Sequence, residues 1–311
     1  MIRKIFYTVV LCVAVITQAT AAMLEKIVTT NAHEGPVCVA RQDRLYYATK
    51  PDFQAGKIPH TSIMYLDLRT NKVHTFIKDA NMTNGMWLAP GGKALLAAEQ
   101  GNKNSPGGIF QIDLKTAKQT VVVDKFHGKP FNSPNKVIVS KGGVIYFSDP
   151  DYGYNQGFKP KPQLLNAVYA YAIASRQLRR LSTAFIMPHG LALSPDEKYL
   201  YVGDTAAVDG KSGDPDNPYD SHGIYKIKLQ TPVQLGTLEK LETVSPGIPD
   251  GFIILPNGQL YVAAGDGIHH YAPNGRLIDI IKIPGGAVNL TPCNGYLYIT
   301  ADKAIYRSKL G

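Results

Sequence analysis

Pro188-His189-Gly190-Leu191-Ala192 leads into an apolar stretch, a turn and a second apolar run at Leu200-Tyr201-Val202. The same pattern occurs six times. The other copies open at His33-Glu34-Gly35-Pro36-Val37, Thr83-Asn84-Gly85-Met86-Trp87, Pro134-Asn135-Lys136-Val137-Ile138, Pro249-Asp250-Gly251-Phe252-Ile253 and Ala287-Val288-Asn289-Leu290. Each has its own second run, from Leu45-Tyr46-Tyr47 in the first copy to Leu297-Tyr298-Ile299 in the last. Glu34, Asn84, Asn135, His189, Asp250 and Asn289 head the copies, at successive spacings of 50, 51, 54, 61 and 39 residues. A four-stranded antiparallel blade takes about 40–50 residues, and self-similarity at that period marks a propeller.

Further strands fit the same frame. The first copy continues through 62–68 and 72–76, the second through 108–114 and 119–123, with period-two alternation. Asn257-Gly258 and Pro273-Asn274-Gly275 supply hairpin turns. The last copy has room for three strands only, at about 286–292, 295–300 and 303–309. An open sheet edge invites aggregation, and residues 24–29 offer the missing fourth strand. The expected fold is therefore all-β: a six-bladed β-propeller whose last blade is closed by the N-terminal strand. Five or seven blades are the alternatives. No helical periodicity is seen beyond the leader.

Residues 1–22 read as a signal peptide. Arg3 and Lys4 form a positive start, 5–16 is apolar but too short to span a bilayer, and Ala19-Thr20-Ala21 fits a small-residue cleavage site. An uncleaved anchor is the alternative. Residues 23–311 then form a single propeller domain, exported to a periplasm or secreted, with no stable membrane anchor after cleavage. The net charge is +9, but the basic residues are scattered. A nucleic-acid partner needs them clustered on one face, so none is expected. The mature chain is expected to be a monomer. Of its two cysteines, Cys38 and Cys293 fall in the first and last repeats, neighbours in a closed ring. Free Cys behaves as a small buried hydrophobe, and two free thiols are favoured over a bridge. Two features fall outside the repeat. The acidic stretch 214–220 reads as a solvated loop or lid instead of a calcium loop, since Pro218 blocks the turn. His269-His270 reads as strand, with one ring in and one out.

The innermost strand of each propeller blade lines a central channel. Residues at one point of every copy therefore face one axis. Turn chemistry explains a polar residue before any single strand, but it does not require Glu34 and His189 at equivalent points. Burying Glu34 and Asp250 together without a cation is costly. One divalent cation on the axis, with Asn135 and His189 as neutral ligands, resolves this.

The motifs are shared with a known family. Glu34-Gly35-Pro36-Val37, Asn84-Gly85, Ala98-Glu99-Gln100-Gly101-Asn102, Asn132-Ser133-Pro134-Asn135, 146–153 (Tyr-Phe-Ser-Asp-Pro-Asp-Tyr-Gly), 190–196, Pro249-Asp250-Gly251 and 297–301 together resemble the SMP-30/gluconolactonase/LRE family. That resemblance implies a six-bladed propeller with one axial divalent cation, calcium in the family, acting on small molecules. It implies that Glu34 and Asp250 are metal ligands and that Asn135 contacts metal or substrate. His189 stands where the family usually has Asn, which brings zinc or manganese into play. Lys136 stands where Asp commonly follows the Asn, Gln100 where a His follows the Glu, and Cys38 where Trp is common.

The expected reaction is metal-assisted hydrolysis of a lactone or similar ester. Asp250 is the expected catalytic base or proton shuttle. Asn84, Glu99, Asn135 and Asn289 are expected to bind substrate. His189 as a second base is an alternative to its ligand role, and a solvated rim charge is the alternative for Glu99. A phosphotriesterase-type hydrolase and a non-catalytic propeller that binds a sugar acid or a protein remain open, because a fold alone does not set function.

Overall fold

The computed structural model describes residues 24–54, 57–205 and 222–310. Six four-stranded antiparallel sheets stand around one axis. Their innermost strands are Glu34–Val39, Thr83–Leu88, Val137–Val139, Pro188–Leu193, Phe252–Ile254 and Asn289–Cys293. In the first five sheets the strands follow chain order from the axis outwards. The sixth runs Asn289–Cys293, Tyr296–Thr300, Ala304–Lys309 and then Leu24–Thr29, so both ends of the described chain share one blade. The propeller and its closure are as expected from the repeat. Among the described residues helix is confined to Tyr152–Asn155 and a 3-10 turn at Ala40–Gln42, a small departure from an all-strand chain. The leader and the acidic stretch 214–220 lie outside the described residues.

Strand alternation builds the core. In Arg44–Ala48 successive side chains point to opposite faces. Leu45 and Tyr47 pack against Cys293, Tyr298 and Ile305 of the sixth blade, whereas Tyr46 and Ala48 pack against Met86, Leu95 and Ala97 of the second. The four other seams are filled in this way, one apolar cluster to each neighbouring pair of blades. The middle strands are thus buried on both faces, as in Val144–Asp149, which opens with the apolar run Val144-Ile145-Tyr146-Phe147. Fully burying one such Leu, Ile or Phe contributes about 1.5–3 kcal/mol. Outer strands such as Gln177–Ser182 are largely exposed and polar.

Cys38 and Cys293 form a disulfide, with Cα atoms 5.6 Å apart and 255 positions between them in sequence. This corrects the expectation of free thiols. Burial preference alone favoured thiols, but ring closure brings the two innermost strands to bonding distance. The bridge joins the first and last blades where non-covalent closure also depends on the N-terminal strand. Loop closure over so long a segment predicts a large effect. Cys293→Ser, with Cys38→Ser to avoid a stray thiol, is expected to lower stability by about 2–5 kcal/mol. Denaturant unfolding of oxidised and variant protein measures it; equal midpoints would refute it.

Candidate metal centre on the propeller axis

The heads of the copies leave the regular ladder. Pairing of Glu34–Val39 with the next strand skips from Glu34 to Val37, and the same break occurs at Thr83/Met86 and Pro188/Leu191. In the third and fifth blades the strand begins only at Val137 and Phe252, after Asn135 and Asp250. Freed from alternation, these side chains can turn to the axis. Gly35 makes the approach feasible: it has φ +57°, and a Cβ there would stand 2.5 Å from the Asn84 carbonyl oxygen. Inter-blade bonds then fix the ring of heads. Gly85 N donates to Asn135 O at 2.7 Å, Ser148 Oγ to His189 O at 2.7 Å and Gly251 N to Val288 O at 2.9 Å.

Carboxylates one strand further out hold the loops that deliver two of the heads. Asp149 accepts from the backbone N–H groups of Asn132 and Ser133, at 3.0 and 2.8 Å, ahead of Asn135. Asp204 does the same for Ile186 and Met187, ahead of His189. Burial pushes the Asp149 carboxyl up to about 7 against those two bonds and the Lys159 charge. Lys159, held down to about 8 by burial, donates to the carbonyls of Gln100 and Phe131.

Glu34, His189 and Asp250 converge. One donor atom from each lies within 4.8 Å of the other two. His189 Nε2 stands 3.8 Å from Glu34 Oε1 and 3.5 Å from Asp250 Oδ1. Asn289 Nδ2 donates to Glu34 Oε2 at 2.6 Å, and Lys136 Nζ donates to Asn289 Oδ1 at 3.4 Å. Asn289 is wholly buried, and its Oδ1 also accepts from Leu290 N. Its carboxamide is therefore engaged inside the protein, where it orients Glu34, which differs from the substrate contact expected from sequence. Lys136 is the residue at this centre that the sequence reading left without a role.

The two carboxylates are driven apart in proton affinity. Burial raises the Glu34 carboxyl, but His189, His33, Lys136 and the Asn289 bond outweigh it, and the net shift is downward. Burial first, and then the Glu34 charge, hold the Asp250 carboxyl well above the ordinary range. Burial takes the His189 imidazole down to about 4 despite Glu34, so it is neutral at neutral pH, the form that binds a metal.

The sign of the His189 shift sets a pH dependence. The unfolded chain protonates this ring near 6.5 while the folded protein holds it neutral to about 4. Stability of the metal-free protein is then complete above the unfolded value and declines as pH falls from 6.5 towards 4, by up to about 1.4 kcal/mol per pH unit. His189→Asn should flatten that decline in thermal scans across the window; an unchanged slope would refute it.

A divalent cation fits these residues. Asp250 Oδ1, Asn135 Oδ1 and His189 Nδ1 are buried and have no hydrogen-bond partner, as have Asn84 Oδ1 and Glu99 Oε1. Such atoms call for a partner that is not protein. Glu99 is 1% exposed, so it is not a solvated rim charge. Its Oε2 accepts from Asn81 at 3.1 Å, and burial pushes its carboxyl up to about 8. The His269-His270 pair splits as expected: His269 is buried against Asp266 and Tyr271, while His270 stacks on Tyr261.

Six blades about an axis that carries two carboxylates and an imidazole define a propeller with a metal-type centre. The chain belongs to the SMP-30/gluconolactonase/LRE-like family, whose description matches residues 32–302. A gluconolactonase of Zymomonas mobilis is 32% identical over 237 residues, covering 72% of this chain and 62% of that protein. A lactonohydrolase of Aspergillus oryzae is 27% identical over 187 residues, covering 57% of this chain and 41% of that protein. The chain thus spans about two to three fifths of the length of these curated relatives. A gluconolactonase structure from Xanthomonas campestris superposes with a TM-score of 0.78 at 26% identity, covering 93% of this chain and 90% of that one. A calcium-binding regucalcin structure from Agrobacterium tumefaciens shares the fold, with a TM-score of 0.67 at 15% identity and 92% and 93% coverage. Among the described residues no helix is long and apolar enough to cross a membrane.

Proposed function

We propose that the chain is an exported, metal-dependent hydrolase that opens lactone rings, with sugar lactones as the substrate class. The observation that carries this reading is the convergence of Glu34, His189 and Asp250 on the axis beside unpartnered buried Asn135. The gluconolactonase and lactonohydrolase relatives support the substrate class. The disulfide supports export, because such bonds persist in oxidising compartments.

Glu34, His189, Asp250 and Asn135 would hold the cation. One imidazole among oxygen donors suits zinc or manganese better than calcium, which prefers oxygen throughout. When bound, the cation supplies Lewis acidity at the lactone carbonyl. The chain supplies the proton transfer. Without the cation, Glu34 is held ionised by its neighbours, whereas Asp250 is the carboxyl that can carry a proton. Opposed shifts in a pair of acids assign their roles. Asp250 takes a proton from the attacking water and returns it to the ring oxygen as the carbon–oxygen bond breaks, yielding a hydroxy acid. Asn84 and Glu99 orient substrate hydroxyls.

A pH-stat screen over aldonolactones, aromatic lactones and phosphotriesters tests this, with stripped and metal-replete protein. Metal-dependent acid release from sugar lactones is expected. Turnover of phosphotriesters alone would overturn the substrate class. No turnover by metal-loaded protein would favour a binding propeller.

A further inference from the structure

Lys136 is buried at the centre of the ring, 5% exposed. Its stem passes over Gly85, where a Cβ would stand 3.3 Å from Lys136 Cδ. On one side the inner strands enclose a cavity of about 600 Å³ whose wall includes Val37, Met86, Ile138, Leu191, Phe252 and Leu290. Lys136 itself forms part of this wall. Its hydrogen-bond partner is Asn289 Oδ1, on the carboxamide that also binds Glu34. Glu34 and Asp250 both lie within electrostatic reach of it. Burial lowers the pKa of this ammonium, and the two carboxylates that would bind the cation oppose that shift by supporting its charge.

We propose that Lys136 is a built-in counter-ion of the axial carboxylates: it lets the ring stand without a metal and weakens the site's hold on divalent cations. This inference rests on the reading of the axis as a cation site. Paired buried charges lose heavily when one partner is removed. A neutral residue at position 136 would leave Glu34 and Asp250 facing each other uncompensated. An incoming divalent ion would then relieve that repulsion, whereas with Lys136 present it must also approach a like charge. Lys136 is a positioning residue here, with no bond to the reacting atoms assigned to it.

The test uses the full-length protein and the metals alone. Lys136→Met keeps the stem and removes the charge. Lys136→Gln also keeps a donor for Asn289 and serves if the first variant does not fold. After chelation the variants are expected to melt several degrees below stripped wild type and to recover on addition of zinc or manganese. Calorimetric titration should give dissociation constants at least tenfold lower than wild type, equivalent to about 1.4 kcal/mol. Equal or weaker metal binding by both variants would overturn the proposal and leave the metal-dependent reading intact. So would stripped variants as stable as stripped wild type. Binding by the variants but not by wild type would support the proposal and sink metal dependence in the native protein.

Discussion

Glu34→Gln is expected to cost the protein its metal and, with it, its activity. Glu34 is 2% exposed, carries a carboxyl with a lowered pKa and is oriented by the Asn289 bond at 2.6 Å. Gln preserves shape and can still accept from Asn289, so the substitution removes charge with little change in packing. Loss of outer-shell support for a metal ligand typically costs 10–100-fold in affinity, and a ligand charge should cost at least as much. The expected result is a fall of about 100-fold or more in both metal affinity and kcat/KM, with no gain in the melting temperature of the stripped variant, because the lowered Glu34 pKa means that the fold favours its charge and Lys136 loses a counter-charge. Equilibrium dialysis and lactone turnover measure it. Full metal occupancy in the variant would remove Glu34 from the ligand set.

Asp250→Asn should separate proton transfer from binding. The carboxamide retains an oxygen for the cation but loses a ligand charge, as in the Glu34 variant, so turnover is compared at saturating metal. A general base contributes about 10²- to 10⁴-fold, and kcat should drop by that order while KM changes little. The pH profile adds a second readout. A base must be ionised to act, so wild-type activity is expected to rise with pH as Asp250 loses its proton. In the variant this limb should vanish. A kcat within threefold of wild type, with the limb retained, would assign the proton transfer elsewhere.

The periodic signal was strong because alternation and blade length are local properties. Strand 119–123 falls where the alternation put it, and the closing strand Leu24–Thr29 follows from a count of strands in the last repeat. The convergence of Glu34, His189 and Asp250 was likewise legible, since register around a closed ring converts sequence position into place. What escaped depends on contacts across the ring. Asn289 and Glu34 are 255 positions apart, and nothing local marks the one as the orienting group of the other. Lys136 follows a head residue, and strict alternation would turn it away from the axis; but its strand starts at Val137, so no alternation binds it. The Asp149 and Asp204 brackets look like strand ends in sequence, and only their bonds to the loops before Asn135 and His189 reveal what they hold.

The shared sixth blade has a consequence for how the chain comes into being. Leu24–Thr29 is made before every other strand of the ring and pairs with Ala304–Lys309, which is made after all of them. The circle cannot close before Ala304–Lys309 has been made, and Cys38 must wait for Cys293 in the same way. Pairings of such long sequence separation form late. The axial centre inherits that order, because Asn289 orients Glu34 only once the two ends have met. The protein therefore has no assembled site to load until the first and last strands of the ring have both been made and paired.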